Sequence, residues 1–454
     1  MAKEKLTIEE KLRRKKFKTP SNACWLLYGF LAHLPMFGPK YHVTYKNEVD
    51  LNELKGPCFI IWNHLSRRDY LFLKNLIEPR KFNMVAGFSE FSRQKFTFLF
   101  NIANVIPKKN FTSDPNGVRG ISTIIRNGGC VAFSPEGTSS IYGHNQPIVP
   151  GTGRFLQFFK VPVFFMKLEG AYLTSHKVDI KDRVGKVTAT LTKLFTPEDL
   201  KNMTPEQIDL KINEAFRFDD YEWNKTARVK FKTHGKPCTN LNDLLYKCPK
   251  CGAEMSIDAH DNIIKCKECG NGCTLDDYYD VHKLDDTCKI PVSPSAWFDW
   301  QRTEIIKEIR NDPNYSFSLD CKVGELPKYK PIQKNDVISL PCGEGKVTAD
   351  HNGIHFVGVK HGKEWKFDLS YNVYYSVVIE NDCTVFSFYV DGEYYDFIPN
   401  QHAVGKMLLV VEEMHRLHVN TWKNFPWCDY MYHGTELEKA NDNYEENMKK
   451  LFLE

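Results

Sequence analysis

Apolar residues in the first half of the chain gather in short continuous runs broken by turn residues, the signature of strands buried on both faces. Cys58-Phe59-Ile60-Ile61-Trp62 follows Gly56-Pro57 and reads as one such strand, which the chain leaves at Asn63. Ser66, followed three positions later by Asp69 and then by apolar Leu71, Phe72, Leu73 and Leu76, predicts a helix start with Asp69 just inside the first turn. Cys130-Val131-Ala132-Phe133, after the turn residues Asn127-Gly128-Gly129, predicts a second strand. Thr196-Pro197 and Thr204-Pro205 each read as a threonine N-cap with proline at the first helical position, marking helices that close this unit near residue 225.

Beyond a polar stretch from Lys232 to Asn242, expected to be a linker, the pattern changes. Pro291 to Pro294 marks a boundary and Trp297 to Ile309 a helix. From about Val337 to Phe397 short strands alternate with turn signals at Asn352-Gly353, His361-Gly362 and Asp391-Gly392, the last of them a good hairpin. Val404, Met407, Leu408, Val411 and Met414 then recur at helical spacing as one apolar stripe. The expected fold class is α/β, a mixed sheet flanked by helices, followed by a small cysteine-rich ribbon and a small antiparallel β domain closed by a helix. The expected units are a basic arm with an apolar segment at 1–42, the α/β domain at 43–230, linker and ribbon at 231–285, an α+β domain at 290–430 and a helical tail at 431–454.

Charge alters this picture mainly at the start of the chain. Lys11, Arg13, Arg14, Lys15, Lys16 and Lys18 precede the apolar run Cys24 to Phe37, which is shorter than the roughly twenty residues needed to span hydrocarbon and contains His33 and Pro35. A basic segment beside an aromatic apolar one predicts an interfacial anchor on an anionic membrane surface, and no small-residue cleavage site follows. The alternative is a buried first helix with a solvated charged arm. A net charge of +4 on 454 residues gives no strongly basic domain, so no nucleic-acid partner is expected. Fourteen cysteines, four of them in paired knuckles, point to a reducing compartment and a metal rather than disulfides.

Candidate chemistry lies in two blocks. In Asn63-His64-Leu65-Ser66-Arg67-Arg68-Asp69, His64 would occupy the strand-to-helix turn. Residues five apart on one helix face different ways, so only a break between them lets imidazole and carboxylate meet. An ionised Asp69 bonded to one ring nitrogen would fix the His64 tautomer and leave the other nitrogen to accept a proton, the base-plus-orienter half of a triad. In Phe133-Ser134-Pro135-Glu136-Gly137-Thr138, Glu136 and Gly137 would also emerge at a strand end, where Gly137 permits close backbone approach and Glu136 can accept hydrogen bonds from substrate hydroxyls.

Together the blocks resemble the signatures of the glycerophospholipid (1-acylglycerol-3-phosphate type) acyltransferases, over roughly residues 40 to 225. His64 and Asp69 match the family's histidine, four residues, aspartate pattern, and Pro135 to Thr138 its proline-glutamate-glycine-threonine block. The resemblance implies acyl transfer from acyl-CoA or acyl-carrier protein to a lysolipid hydroxyl in phospholipid synthesis, with His64 and Asp69 catalytic and with Glu136, Gly137 and Thr138 at the acceptor. It implies a phosphate contact at Lys108 or Lys109, at the end of Ala103 to Lys109; the cysteine usage and the basic arm add the expectation of a cytoplasmic enzyme peripheral on the inner face of a membrane. Ser139 stands where members acting on lysophosphatidic acid commonly carry arginine, and lysine replaces the usual arginine of the middle block; Arg67, Arg68 and Arg154 are the other candidate cations. An inactive lipid- or partner-binding adaptor and an acyl-thioester hydrolase are the competing expectations.

Cys248-Pro249-Lys250-Cys251 and Cys266-Lys267-Glu268-Cys269 form two CxxC knuckles fourteen residues apart. Four thiolates at this spacing predict a closed, structural Zn²⁺ site, with Cys238 and Cys273 nearby as spare thiols. The C-terminal sheet and helix look like a pleckstrin-homology or GRAM-type fold.

Overall fold

The structure is a computed structural model that describes residues 5–32, 41–93, 97–333, 337–419, 421, 432–433, 436–440 and 444–454. Two helices, α1 (Ile8–Arg14) and α2 (Asn22–Ala32), precede a seven-stranded sheet. Its strands are β1 (Val43–Asn47), β2 (Cys58–Trp62), β3 (Asn83–Gly87), β4 (Ile106–Lys108), β5 (Cys130–Phe133), β6 (Val163–Glu169) and β7 (Val187–Phe195), in the order β1-β7-β6-β2-β5-β3-β4. The five strands from β6 to β4 run parallel, while β7 is antiparallel to β6 and carries β1 parallel to itself. The intervening helices are α3 (Tyr70–Ile77), α4 (Glu90–Arg93), α5 (Thr97–Ile102), α6 (Pro115–Arg126), α7 (Thr152–Phe159) and α8 (Ala171–Ser175).

Strand β2 shows why both faces must be covered. Cys58, Ile60 and Trp62 join one apolar cluster with Leu73, Leu76 and Met166, while Phe59 and Ile61 join a second with Ile121, Ile124 and Leu156. All five residues are buried, as a continuous apolar run in a central parallel strand requires. Helices α9 (Pro197–Asn202) and α10 (Pro205–Phe216) begin in capping boxes at Thr196 and Thr204, and α11 (Asp220–Ala227) follows.

The stretch from 232 to 242 is no solvated tether. Thr233, Cys238 and Leu241 are buried, and the Lys232 N–H donates to the Val184 carbonyl (2.9 Å). The ribbon sheet, β8 (Ile257–His260), β9 (Ile263–Cys266), β10 (Gly272–Leu275) and β11 (Val281–Lys283), shares one apolar cluster with the first sheet and with α12 (Pro294–Asn311). A second seven-stranded sheet is wholly antiparallel, formed by β12 (Ser316–Glu325), β13 (Leu340–Asp350), β14 (Gly353–Lys360), β15 (Lys363–Leu369), β16 (Val378–Ile379), β17 (Phe386–Val390) and β18 (Glu393–Pro399). Two meanders, β12 to β15 and β16 to β18, join through β12 and β18, and α13 (Val404–His418) packs on them.

The N-terminal apolar run is helical from Asn22 to Ala32; His33, Pro35 and the rest of it lie outside the described residues. Cys24 and Trp25 pack inward while Leu26, Leu27 and Phe30 are exposed. Of the expected helical tail, Tyr444–Lys450 is a helix, and Tyr432–His433 pairs instead with Glu436–Ala440 as strands.

Candidate active site and cysteine cluster

The two sequence blocks meet at the C-terminal edge of β2 and β5, which are neighbours in the sheet. The Asn63 side chain ties the end of β2 to β6, donating to the Leu168 carbonyl (2.9 Å) and accepting from the Leu168 N–H (2.8 Å). His64 follows in the turn, with Nδ1 2.8 Å from Asp69 Oδ2. Asp69 is buried, and its other oxygen accepts from the Ser66 N–H (3.0 Å) and hydroxyl (2.6 Å). Helix α3 starts at Tyr70, so Asp69 is the residue before the helix rather than one inside its first turn. The physical reason is that its carboxylate points back into the turn, holding Ser66 and His64, instead of bonding to the helix's own N–H groups.

A carboxylate on Nδ1 assigns the proton to that nitrogen and leaves Nε2 as the basic atom. The imidazole side chain is 28% exposed, so a reactant can reach it, whereas Asp69 is 1% exposed and cannot itself meet solvent.

The second block locks the first in place. Glu136 is fully buried, and its Oε2 accepts the His64 backbone N–H (3.0 Å); the Ser140 N–H donates to the His64 carbonyl (2.7 Å). Glu136 thus faces inward, toward the catalytic turn, where the sequence suggested a group facing substrate hydroxyls. Burial, with Asp69 nearby, pushes its carboxyl well above the usual range. Gly137 has φ +75°, and a Cβ there would lie 2.9 Å from the Phe111 ring, so the position requires glycine on two counts. Asn110 Nδ2 donates to the Gly137 carbonyl (2.6 Å), joining the middle block to the second.

The candidate cations are sorted by what already holds them. Lys108 Nζ donates to the carbonyls of Lys109 (2.5 Å) and Thr112 (3.0 Å), and burial lowers its pKa. Lys109 Nζ bonds to the Gly392 carbonyl (2.8 Å) and Glu9 (3.0 Å). Arg67 is held by Asp182 and by the carbonyls of His176 and Ile180, Arg68 lies 3.6 Å from the same Asp182, and Arg154 is exposed on α7. The cation at the second block is one that the sequence did not flag. Lys177, buried, donates to Thr138 Oγ1 (2.7 Å) and to the Ile379 carbonyl in β16 (2.6 Å). No spacing signal could have found it, because both partners are distant in the chain.

The four knuckle cysteines converge. Their Sγ atoms all lie within 4.8 Å of one another, with Cys248 to Cys269 at 3.7 Å and Cys251 to Cys266 at 3.8 Å. A tetrahedral ion with Zn–S bonds of about 2.3 Å sets its sulfurs ~3.8 Å apart, so these residues fit Zn²⁺ with no position left open. Gly252 and Gly270, both at positive φ, turn the chain after each knuckle.

Residues 42–166 match the acyltransferase family model, which takes in both blocks, and this part of the chain is an acyltransferase domain. Residues 242–271 match a zinc-ribbon model described as the 7 kDa subunit of DNA-directed RNA polymerase, and form a metal site of zinc-ribbon type. The crystal structure of the 1-acyl-sn-glycerophosphate (LPA) acyltransferase PlsC from Thermotoga maritima is similar at 14% identity and TM-score 0.33, over 43% of this chain and 75% of that one. The comparison with curated proteins gives no match.

Proposed function

We propose that the chain transfers an acyl group from a thioester, acyl-CoA or acyl-carrier protein, to the hydroxyl of a lysophospholipid or related lipid alcohol at a membrane surface. The observation that carries this is the buried Asp69 on Nδ1 of a solvent-reachable His64, at a strand end whose backbone Glu136 and Ser140 immobilise. His64 Nε2 takes the proton as the acceptor oxygen attacks the thioester carbonyl. The C–O bond forms, the C–S bond breaks, and the proton passes to the departing thiolate. Lys177 at Thr138 supplies the positive charge on the acceptor side that Ser139 does not.

The Cys₄ cluster would hold Zn²⁺ as a structural ion. A seat on the inner face of a membrane is supported by the exposed Leu26, Leu27 and Phe30 of α2 beside the basic arm. Among the described residues no helix is long and apolar enough to cross a bilayer. The connectivity of the C-terminal sheet, with its capping α13, supports a pleckstrin-homology or GRAM-like reading.

The test is incubation of purified protein with labelled acyl-CoA and acyl-carrier protein and a panel of lysolipids, with products identified by mass spectrometry. We expect transfer, and we expect His64→Ala to abolish it while melting temperature and zinc content stay unchanged. Thioester consumption with no acceptor acylated would establish a hydrolase instead. An inert protein would establish an adaptor.

A further inference from the structure

One cavity lies away from His64. It measures about 650 Å³ and opens between the N-terminal arm, the end of β4 and the face of α6. Seven cations line it: Lys109, which pairs with Glu9, and Arg13, Arg14, Lys15, Lys16, Lys18 and Arg119. Among the described residues none of the last six forms a close ion pair, and Glu10 acts on Arg13 and Arg14 only at longer range. The two carboxylates on the wall are both committed, Glu9 to Lys109 Nζ (3.0 Å), and Asp114 to the N–H groups of Lys109, Asn116 and Gly117. The floor is apolar, with Leu12, Phe17, Phe88 and Pro107.

The arm is fixed rather than loosely tethered. Leu12 and Phe17 are each 7% exposed, Lys15 Nζ donates to the Asn101 carbonyl (3.0 Å), and the Arg119 guanidinium donates to the Arg13 carbonyl (2.7 Å). Burial pulls the Lys15 ammonium down to about 8, the state of a cation short of a counter-charge. Like charges held in a concavity repel, and a dense anion is what relieves them.

We infer that this cavity binds the phosphate-dense, ring-bearing end of a nucleotide, which on the transferase reading above is the 3′-phospho-ADP moiety of acyl-CoA. Clustered phosphates match six cations crowded on one concavity, and a planar base matches the half-buried Phe88 ring on its floor, which a flat bilayer or a carrier-protein helix would not enter. The position suits a donor. Pro107 and Lys109 lie at the C-terminal edge of the parallel strands, where ligands of open α/β sheets sit. β4 is three strands from the β2 that presents His64, about 14 Å at the usual strand spacing, a gap that the pantetheine arm can bridge.

The experiment is titration calorimetry of the full chain with CoA, dephospho-CoA and 3′,5′-ADP, together with initial rates for acyl-CoA. We expect 3′,5′-ADP to bind and dephospho-CoA to bind at least tenfold more weakly than CoA. The Lys16→Glu/Arg119→Glu double variant should lose nucleotide affinity by tenfold or more and raise the KM for acyl-CoA to match, with its melting temperature retained. Equal binding of CoA and dephospho-CoA, or unchanged nucleotide affinity in the double variant, would overturn the site. So would loss in that variant only of acyl-carrier-protein use or of binding to phosphatidylglycerol vesicles. Because nucleotide binding is read without catalysis, the two ideas fail separately. Binding without transfer sinks the transferase reading alone, and transfer from acyl-CoA with unaltered KM in the variant sinks the site alone.

Discussion

Glu136 and Lys177 are the residues at which chemistry and position part company. Both motif acids were legible in the sequence, but the direction of Glu136 was not, because its burial is decided by the turn at His64, 72 residues earlier in the chain. Lys177 was illegible for the same reason, with partners 39 and 202 residues away. The folded pKa of Glu136 is raised, so the stability it lends is complete below the unfolded value near 4.5 and is lost as pH rises through the folded value. Glu136→Gln keeps an acceptor for the His64 N–H and removes that loss. It should therefore retain most activity and show a flatter stability profile than wild type between pH 5 and 9 in denaturant titrations. Glu136→Ala leaves the N–H without its partner, at a cost of about 1–3 kcal/mol, and should lower kcat by one to two orders of magnitude. For Lys177→Met the expected outcome is a KM at least tenfold higher for phosphate-bearing acceptors and a smaller change for phosphate-free ones, read from initial rates.

Among the elements, those that announce themselves are the ones buried by their own composition. β2 and β5 were plain as apolar runs, and the caps of α9 and α10 as Thr-Pro pairs, since each signal is local. β1, Val43–Asn47, is an edge strand with only one half-buried residue, marked by no more than the short alternation of Val43 and Tyr45 with polar Thr44 and Lys46. α13 is the reverse case. Its apolar stripe was legible, yet Glu412, Glu413 and Arg416 are buried too, because Arg302 of α12 meets both glutamates. Hydropathy cannot show a charge that is matched across two helices. The ribbon was legible from cysteine spacing, but its role as packing was not. Lys247, just before the first knuckle, receives the Trp297 indole N–H on its carbonyl (3.0 Å) and donates its own N–H to Gln301 Oε1 (3.0 Å). Removing the metal should therefore loosen α12 as well as the ribbon. Cys266→Ser, or a chelator, is expected to release zinc and lower the main calorimetric transition by ~5 °C or more. A separate small transition with the main peak unmoved would show the ribbon to be an appendage.

At the scale of the whole molecule, the C-terminal sheet is tied to the acyltransferase domain through Arg93 of α4. Its guanidinium meets Glu380 and Asp396, with Tyr394 stacked 5.2 Å away and donating its hydroxyl to Glu380. Arg93 holds the Glu380 carboxyl below its usual value despite burial, so this contact's contribution is present above about pH 4.5 and is lost as pH falls through the folded pKa. Arg93→Met would leave Asp396 and Glu380 buried without their ion-pair partner, with only Lys177 acting on Glu380, a cost of about 3–5 kcal/mol. Glu380 directly follows Ile379, whose carbonyl holds Lys177 at Thr138, so loss of the ion cluster is transmitted to the acceptor side by a single peptide unit. The variant should accordingly lose stability in denaturant titration and also raise the acceptor KM, with the acyl-CoA KM changed far less. Adding Glu380→Gln, which neutralises one orphaned charge, should recover part of the stability. If Arg93→Met unfolds more easily but transfers acyl groups with unchanged acceptor KM, the sheet is bolted to the enzyme without taking part in its acceptor site.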